Sequence, residues 1–190
     1  NSLMEQVEAT IRAGATFVQL REKEMAFDEF VQQAVQLKKV TDRYGIPFVV
    51  NDSIEVALAA GADGVHVGQG DMDAKDVRAL IGKDKILGVS AVNVEQAVLA
   101  EKNGADYIGV GAVFATSTKN DADTVSMEML KQICGAVSIP VVAIGGISEE
   151  NLLQLKGSGI DGVAIISAIF AKPDIHRATE TLRKLVEQIV

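Results

Sequence analysis

The feature that most restricts the fold of this chain is an internal repeat in two alternating forms. In the first form a small-residue turn runs straight into an apolar segment: Gly14-Ala15-Thr16 before FVQL, Gly61-Ala62-Asp63 before GVHVG, Gly104-Ala105-Asp106 before YIGVG, and Gly159-Ile160-Asp161 before GVAII. Each glycine ends a stretch with helical character, where a left-handed C-terminal position favours that residue. The second form lies between these copies: IPFVVN from Ile46, KILGVS from Lys85 and IPVVAIGG from Ile139. Where proline is present it sits at a strand entrance, and its missing N–H costs little there.

Together the two forms give seven short apolar segments, and none alternates cleanly between polar and apolar. That pattern predicts strands buried on both faces, and hence a parallel sheet. Helical segments separate them, at 4–13, 27–45, 54–60, 74–81, 94–102, 127–134, 149–155 and 175–189. Strand and helix in strict alternation predict βα units with right-handed crossovers. An open doubly wound sheet and a closed (β/α)8 barrel both satisfy this. Systematic alternation of strand type favours the barrel, whose odd and even strands feed different interior layers. The expectation is a compact single barrel domain over residues 1–190, with about ten or more residues before Asn1 that include a short apolar first strand.

Composition removes several classes of function. The chain has 190 residues, 48% hydrophobic and 23% charged, a globular balance. Its 18 Lys and Arg against 26 Asp and Glu give a net charge of -8, which disfavours a nucleic-acid or membrane-surface binder. Aromatic residues make up 4%, with no Trp, against a base-stacking platform. A single cysteine excludes an intramolecular disulfide and any cysteine-cluster metal site. With no signal peptide or apolar run of membrane length in the sequence, the expected compartment is the cytoplasm.

In a barrel, chemistry collects at the carboxyl ends of the strands. Those positions here hold Gln19, Arg21, Glu22 and Lys23; Asn51 and Asp52; Gln69 and Asp71; Ser90; Thr116, Ser117, Thr118 and Lys119; Gly145 and Gly146; and Ser167. Arg21, Lys23 and Lys119 suit phosphate oxygens, with local salt bridging as the alternative. Asp52 and Asp71 form a pair able to hold Mg²⁺ beside phosphates, or each could cap the helix that follows it. Gly145-Gly146 with Ser167 at the start of a helical turn matches the phosphate-binding habit of barrel strands seven and eight. His66, inside GVHVG, is either a core residue or a site residue. His176 is expected on the surface and Cys134 in packing. Gly109-Val110-Gly111 lacks the third glycine of a dinucleotide fingerprint. The polar stretch 115–126 is a surface loop or a lid over substrate.

These segments resemble those of one family in order and spacing. QLREK (19–23), VND (50–52), GVHVGQGD (64–71), GVSA (88–91), TSTK (116–119), AIGGI (143–147) and IISAI (165–169) are similar to the motifs of thiamine-phosphate synthases, which are (β/α)8 barrels. The resemblance implies a transferase that displaces diphosphate from a pyrimidinylmethyl diphosphate with the ring nitrogen of a thiazole phosphate. It implies that Gln19, Leu20, Arg21, Glu22, Lys23, Asn51, Ser90 and Lys119 contact the pyrimidine diphosphate. It implies that Asp52 and Asp71 hold Mg²⁺, and that Thr116, Ser117, Thr118, Gly146, Ile166 and Ser167 contact the thiazole phosphate. A dissociative reaction of that kind needs leaving-group stabilisation by Arg21, Lys23, Lys119 and Ser90 and requires no general base, in keeping with strand ends expected to hold no Ser–His pair. The expected partners are small phosphorylated molecules, with a homodimer permitted.

Ala112 and Ala115 depart from the prolines, and Val92 from the histidine, that many such sequences carry. The rivals are a thiazole tautomerase of the same fold, a non-catalytic phosphate-ligand sensor, and a phosphate-binding barrel enzyme of tryptophan biosynthesis. The tautomerase would not need the QLREK cations or the Asp52–Asp71 pair, and the tryptophan-type enzyme has no reason to carry VND and TSTK. Diphosphate release from both substrates separates the synthase from the tautomerase and the sensor.

Overall fold

The computed structural model describes residues 1–116 and 123–190. Its elements follow the chain as α1 (Leu3–Arg12), β1 (Val18–Leu20), α2 (Phe27–Arg43), β2 (Phe48–Asn51), α3 (Ile54–Ala60), β3 (Gly64–Val67), α4 (Ala74–Ile81), β4 (Ile86–Ala91), α5 (Val94–Lys102), β5 (Tyr107–Gly111), α6 (Met127–Ala136), β6 (Val141–Ile144), β7 (Gly162–Ala164), α7 (Ser167–Phe170) and α8 (Ile175–Val186). The seven strands form one parallel sheet in the order β1-β2-β3-β4-β5-β6-β7. All seven expected strands are present. The stretch expected to be helical at 149–155 is instead a 3-10 turn at Leu152–Leu155. Asn151 delays it: its side chain accepts from the Ser148 N–H at 2.9 Å and donates to the Gly146 carbonyl at 2.8 Å, competing with the helical ladder.

The sheet curls into a barrel. In a flat sheet β1 and β5, four strand positions apart, would be separated by about 19 Å. Yet the ring of Phe17, just before β1, meets the ring of Tyr107 in β5 edge-on, with centroids 5.6 Å apart. The first and last long helices, α1 and α8, also pack together. This settles the choice between the open sheet and the barrel. Among the described residues β1 and β7 are the two edges, so seven strands of the (β/α)8 architecture are seen.

The main apolar core lies between sheet and helices. Leu87 and Ile108 on the strands and Leu37, Leu130 and Ile133 on the helices belong to it, all fully buried. Amphipathic helices supply the other wall; α2 buries Phe30, Ala34, Leu37 and Val40 at helical spacing.

The alternation of repeat forms has a cause at the floor of the barrel. Asp63, Asp106 and Asp161 stand just before β3, β5 and β7, and each clamps the strand before its own. The Asp63 carboxylate accepts from Phe48 N–H at 2.8 Å, and its own N–H donates to the Phe48 carbonyl at 2.8 Å. Asp106 holds both backbone groups of Leu87 in the same way, at 2.8 and 2.7 Å. Asp161 holds those of Val141 at 2.9 and 2.8 Å. Strands β2, β4 and β6 are the clamped set, and β3, β5 and β7 follow the clamping turns. Pro47 and Pro140 sit just outside β2 and β6, and their carbonyls accept from Val18 and Ile108.

Asp161→Ala should therefore leave the buried Val141 N–H without a partner and cost about 1–3 kcal/mol. Urea unfolding measures this. Asp161→Asn, which keeps an accepting oxygen, should lose much less, and equal losses in the two variants would remove the clamp as the cause.

Candidate active site

The carboxyl ends of β1, β2 and β3 bring the expected cationic and acidic residues together. Arg21 and Lys23, both exposed, leave β1 toward Asp52 at the end of β2, close enough for their charges to act on its carboxyl group. Among the described residues neither cation forms an ion pair, so the salt-bridging alternative has no partner there. Beneath them the Gln19 side-chain amide donates to Asn51 Oδ1 at 2.9 Å, linking β1 to β2 across the barrel mouth.

The capping alternative for Asp52 and Asp71 also fails. Ser53 caps α3 by accepting from Val56 N–H, and Asp73 caps α4 by accepting from Lys75 N–H. Both rim carboxylates are thereby free of helix duty, and they meet each other. Burial, followed by a hydrogen bond from Asp71 and its negative charge, pushes the Asp52 carboxyl above its ordinary range, while Arg21 and Lys23 pull the other way. Asp71 is steered by its own turn, where its Oδ2 accepts from Gly68 N–H at 2.7 Å. Asp52 has φ 68°, the only positive φ at a non-glycine residue among the described residues. Held strain of this kind, beside a like charge, is characteristic of sites built to meet a ligand. No group of three acidic, His or Cys side chains able to hold a metal occurs among the described residues.

A polar column fills the barrel interior below this rim. His66 in β3 is buried. Its Nδ1 lies 2.8 Å from the Tyr107 hydroxyl, and its Nε2 lies 2.8 Å from Ser90 Oγ at the upper end of β4. A Ser–His pair therefore exists at a strand end, contrary to expectation. Twenty-four residues separate the pair in sequence. Sheet register brings them together, because His66 lies opposite Gly88 on β4 and Ser90 is the next inward residue. The third member is a phenol rather than the carboxylate of a nucleophilic triad. Burial holds His66 down to about 4, against a small opposing pull from Asp71, so the ring is neutral at pH 7. Burial also raises the Tyr107 hydroxyl well above its ordinary value.

Gly88 makes room for the column. A Cβ at that position would fall 2.1 Å from Tyr107 Cζ, so the glycine of GVSA is a packing requirement. Gln69, on the loop after β3, completes the arrangement by donating to the Ser90 carbonyl at 2.8 Å. Sequence reasoning listed Gln69 at a strand end without a role and did not single out Tyr107. The signal for Tyr107 was inward parity: it precedes Gly109 and Gly111 by two and four residues.

The opposite side of the mouth assembles around Gly146. Its φ is 68°, and a Cβ there would lie 2.7 Å from the Ala115 carbonyl, so the segment leading to Thr116 packs directly on its backbone. Ile166 is 62% exposed, and Ser167 opens the one-turn helix α7 at the end of β7. Ser117, Thr118 and Lys119 lie outside the described residues. Leu20 is buried and points away from the mouth, while Glu22 is half-buried beside the cations. His176 is exposed on α8, 3.7 Å from Glu180. Cys134 is half-buried on α6, where burial and then the Asp161 charge push its thiol up, away from nucleophilic character. No helix among the described residues is long and apolar enough to cross a membrane.

Comparison with known proteins shows the family of the chain. Residues 1–169 match the family described as thiamine monophosphate synthase. A thiamine-phosphate synthase from Ruminiclostridium cellulolyticum is 55% identical over 184 residues, covering 97% of this chain and 88% of that protein. One from Clostridium botulinum is 49% identical over 189 residues, covering 100% and 89%. Thiamine phosphate pyrophosphorylase from Pyrococcus furiosus superposes with a TM-score of 0.92 at 40% identity, over 100% of this chain and 92% of the other. Motif order, barrel geometry and near-full-length identity to such relatives agree, and the chain belongs to the thiamine monophosphate synthase family of transferases.

Proposed function

We propose that the barrel mouth of this synthase holds its two substrates at opposite sides and joins them by a dissociative displacement, with residues 1–190 acting as one domain and small phosphorylated molecules as the ligands. The observation that carries this reading is the division of the rim. Cations and paired carboxylates lie over β1–β3, and at β6–β7 the rim is backbone, with Gly146 at φ 68° and the Phe114 and Ala115 carbonyls packed against it.

On the first side, Gln19 and Asn51 already spend one donor and one acceptor on each other. Their remaining carbonyl and NH₂ groups complement an aminopyrimidine, which offers an N–H donor beside a ring-nitrogen acceptor. Arg21, Lys23 and Lys119 then bind the diphosphate, Ser90 adds a neutral donor, and Leu20 and Glu22 shape the same segment. On the second side, Thr116, Ser117, Thr118, Gly146, Ile166 and Ser167 hold the thiazole phosphate and aim its ring nitrogen at the pyrimidine methylene.

The carboxylate pair suits Mg²⁺. Its donors are hard oxygens, and burial together with the like charge of Asp71 raises Asp52, a cost that a divalent cation would relieve. Asp52 and Asp71 would hold the ion, which would supply charge neutralisation to the diphosphate oxygens. The protein's own part is to stabilise the departing diphosphate with Arg21, Lys23 and Lys119, to keep water from the electron-poor methylene, and to fix the thiazole nitrogen within reach. No residue need take a proton from a nucleophile that is already a ring nitrogen. We also infer a cytoplasmic enzyme that is able to form a homodimer.

Mixing pyrimidinylmethyl diphosphate, thiazole phosphate and Mg²⁺ and detecting diphosphate together with thiamine phosphate tests the reading. Thiazole proton exchange without diphosphate release would replace it with the tautomerase. Asp52→Ala and Asp71→Ala should each remove most turnover. Asp71→Asn should do the same while raising the melting temperature of the metal-free protein at neutral pH, because it removes the like charge beside Asp52. A metal-free protein that is less stable as Asp71→Asn would refute the repulsion.

The two sides should also separate kinetically. Arg21→Ala or Lys119→Ala should lower kcat on the order of 10²-fold, with little change in the KM for thiazole phosphate. Gly146→Ala, which forces a side chain into a left-handed backbone and against the Ala115 carbonyl, should raise that KM while leaving pyrimidine diphosphate binding intact. Equal effects of both changes on one substrate would defeat the two-sided site.

A further inference from the structure

The polar column inside the barrel has a direction. Among the described residues the Tyr107 hydroxyl has one hydrogen-bond partner, His66 Nδ1. Its ring is covered by the edge of Phe17 and lies against the backbone of Gly88. A buried O–H is donated wherever an acceptor exists, so Tyr107 donates to Nδ1. A neutral imidazole that accepts at Nδ1 carries its hydrogen on Nε2. That Nε2–H points at Ser90 Oγ, 2.8 Å away, and the serine oxygen accepts. Ser90 must then turn its own hydrogen away from the column. It stands at the upper end of β4, and its carbonyl is already held by Gln69, so the free direction is the barrel mouth. The reverse polarity would leave the phenolic hydrogen without an acceptor and draw the serine hydrogen inward.

We propose that Tyr107 and His66 are positioning residues of the synthase reaction, fixing the Ser90 hydroxyl as an outward donor to a phosphate oxygen of the pyrimidine diphosphate. This rests on the assignment of Ser90 to that substrate. The column is a single-sense chain from the floor of the barrel to its mouth, and the inward glycines of β4 and β5 leave the space it occupies. A Cβ at Gly109 would come within 3.2 Å of His66 Cε1.

The decisive variant is Tyr107→Phe, which keeps the ring and removes only the hydroxyl that orients His66. It should raise the KM for pyrimidine diphosphate roughly tenfold, the scale of one hydrogen bond to a charged group, with the KM for thiazole phosphate unchanged. Combined with Ser90→Ala it should add little to the serine change alone, since both act through one hydroxyl. Nitrogen NMR of His66 should show the Nε2–H tautomer in the parent protein and loss of its dominance in Tyr107→Phe. His66→Gln, whose amide still donates to Ser90, should retain more activity than His66→Leu. Wild-type parameters in Ser90→Ala would overturn the substrate contact itself. An impaired Ser90→Ala with an unaffected Tyr107→Phe, or an Nδ1–H tautomer in the parent, would overturn the positioning role alone.

Discussion

The barrel depends on three carboxylates at its floor. Asp63, Asp106 and Asp161 each grip both backbone groups of one residue in the preceding strand. Bonds to an ionised acceptor are about twice as strong as neutral ones, and these are repeated around the sheet. They join β2 to β3, β4 to β5 and β6 to β7 in register. Register decides which side chains meet inside a barrel, because a shift of one residue exchanges the inner face for the outer. The clamps at the floor are thus upstream of the contacts made between the strands they join, such as that of β4 with β5.

With register fixed, the inner face can be sparse. Gly88, Gly109 and Gly111 contribute no side chain, and the space above them goes to Tyr107, His66 and Ile144. The result is an interior that is partly polar yet satisfied, since His66 uses both ring nitrogens on Tyr107 and Ser90. A buried network is favourable only when its members are paired. Here pairing also sets the hydrogen positions, so a packing solution at the floor becomes an orientation at the mouth.

The mouth follows the opposite rule. Asp52 and Asp71 are set together with like charges facing, and Asp52 is held at a positive φ. Neighbouring residues cap α3 and α4, so these two carboxylates serve neither helix. Local stability is given up at this rim, where in the function proposed a cation and a diphosphate would restore it, and the rigid floor makes that tolerable.

Much of this was legible in the sequence. Period, glycine turns and proline positions determined seven parallel strands, because they act over a few residues of local backbone geometry. The motifs at strand ends pointed to the family and put Arg21, Lys23, Asp52 and Asp71 at one rim, since a barrel turns strand order directly into rim order. Three matters were decided only by the tertiary structure. Whether Asp52 and Asp71 cap helices depended on Ser53 and Asp73 outcompeting them. The Ser90–His66–Tyr107 column depended on register between β3, β4 and β5, which joins residues distant in sequence. The clamping role of the repeated aspartates depended on side chains reaching across to another strand. Each is a choice among partners brought close by the curl of the sheet, and a linear pattern carries local preference without that proximity.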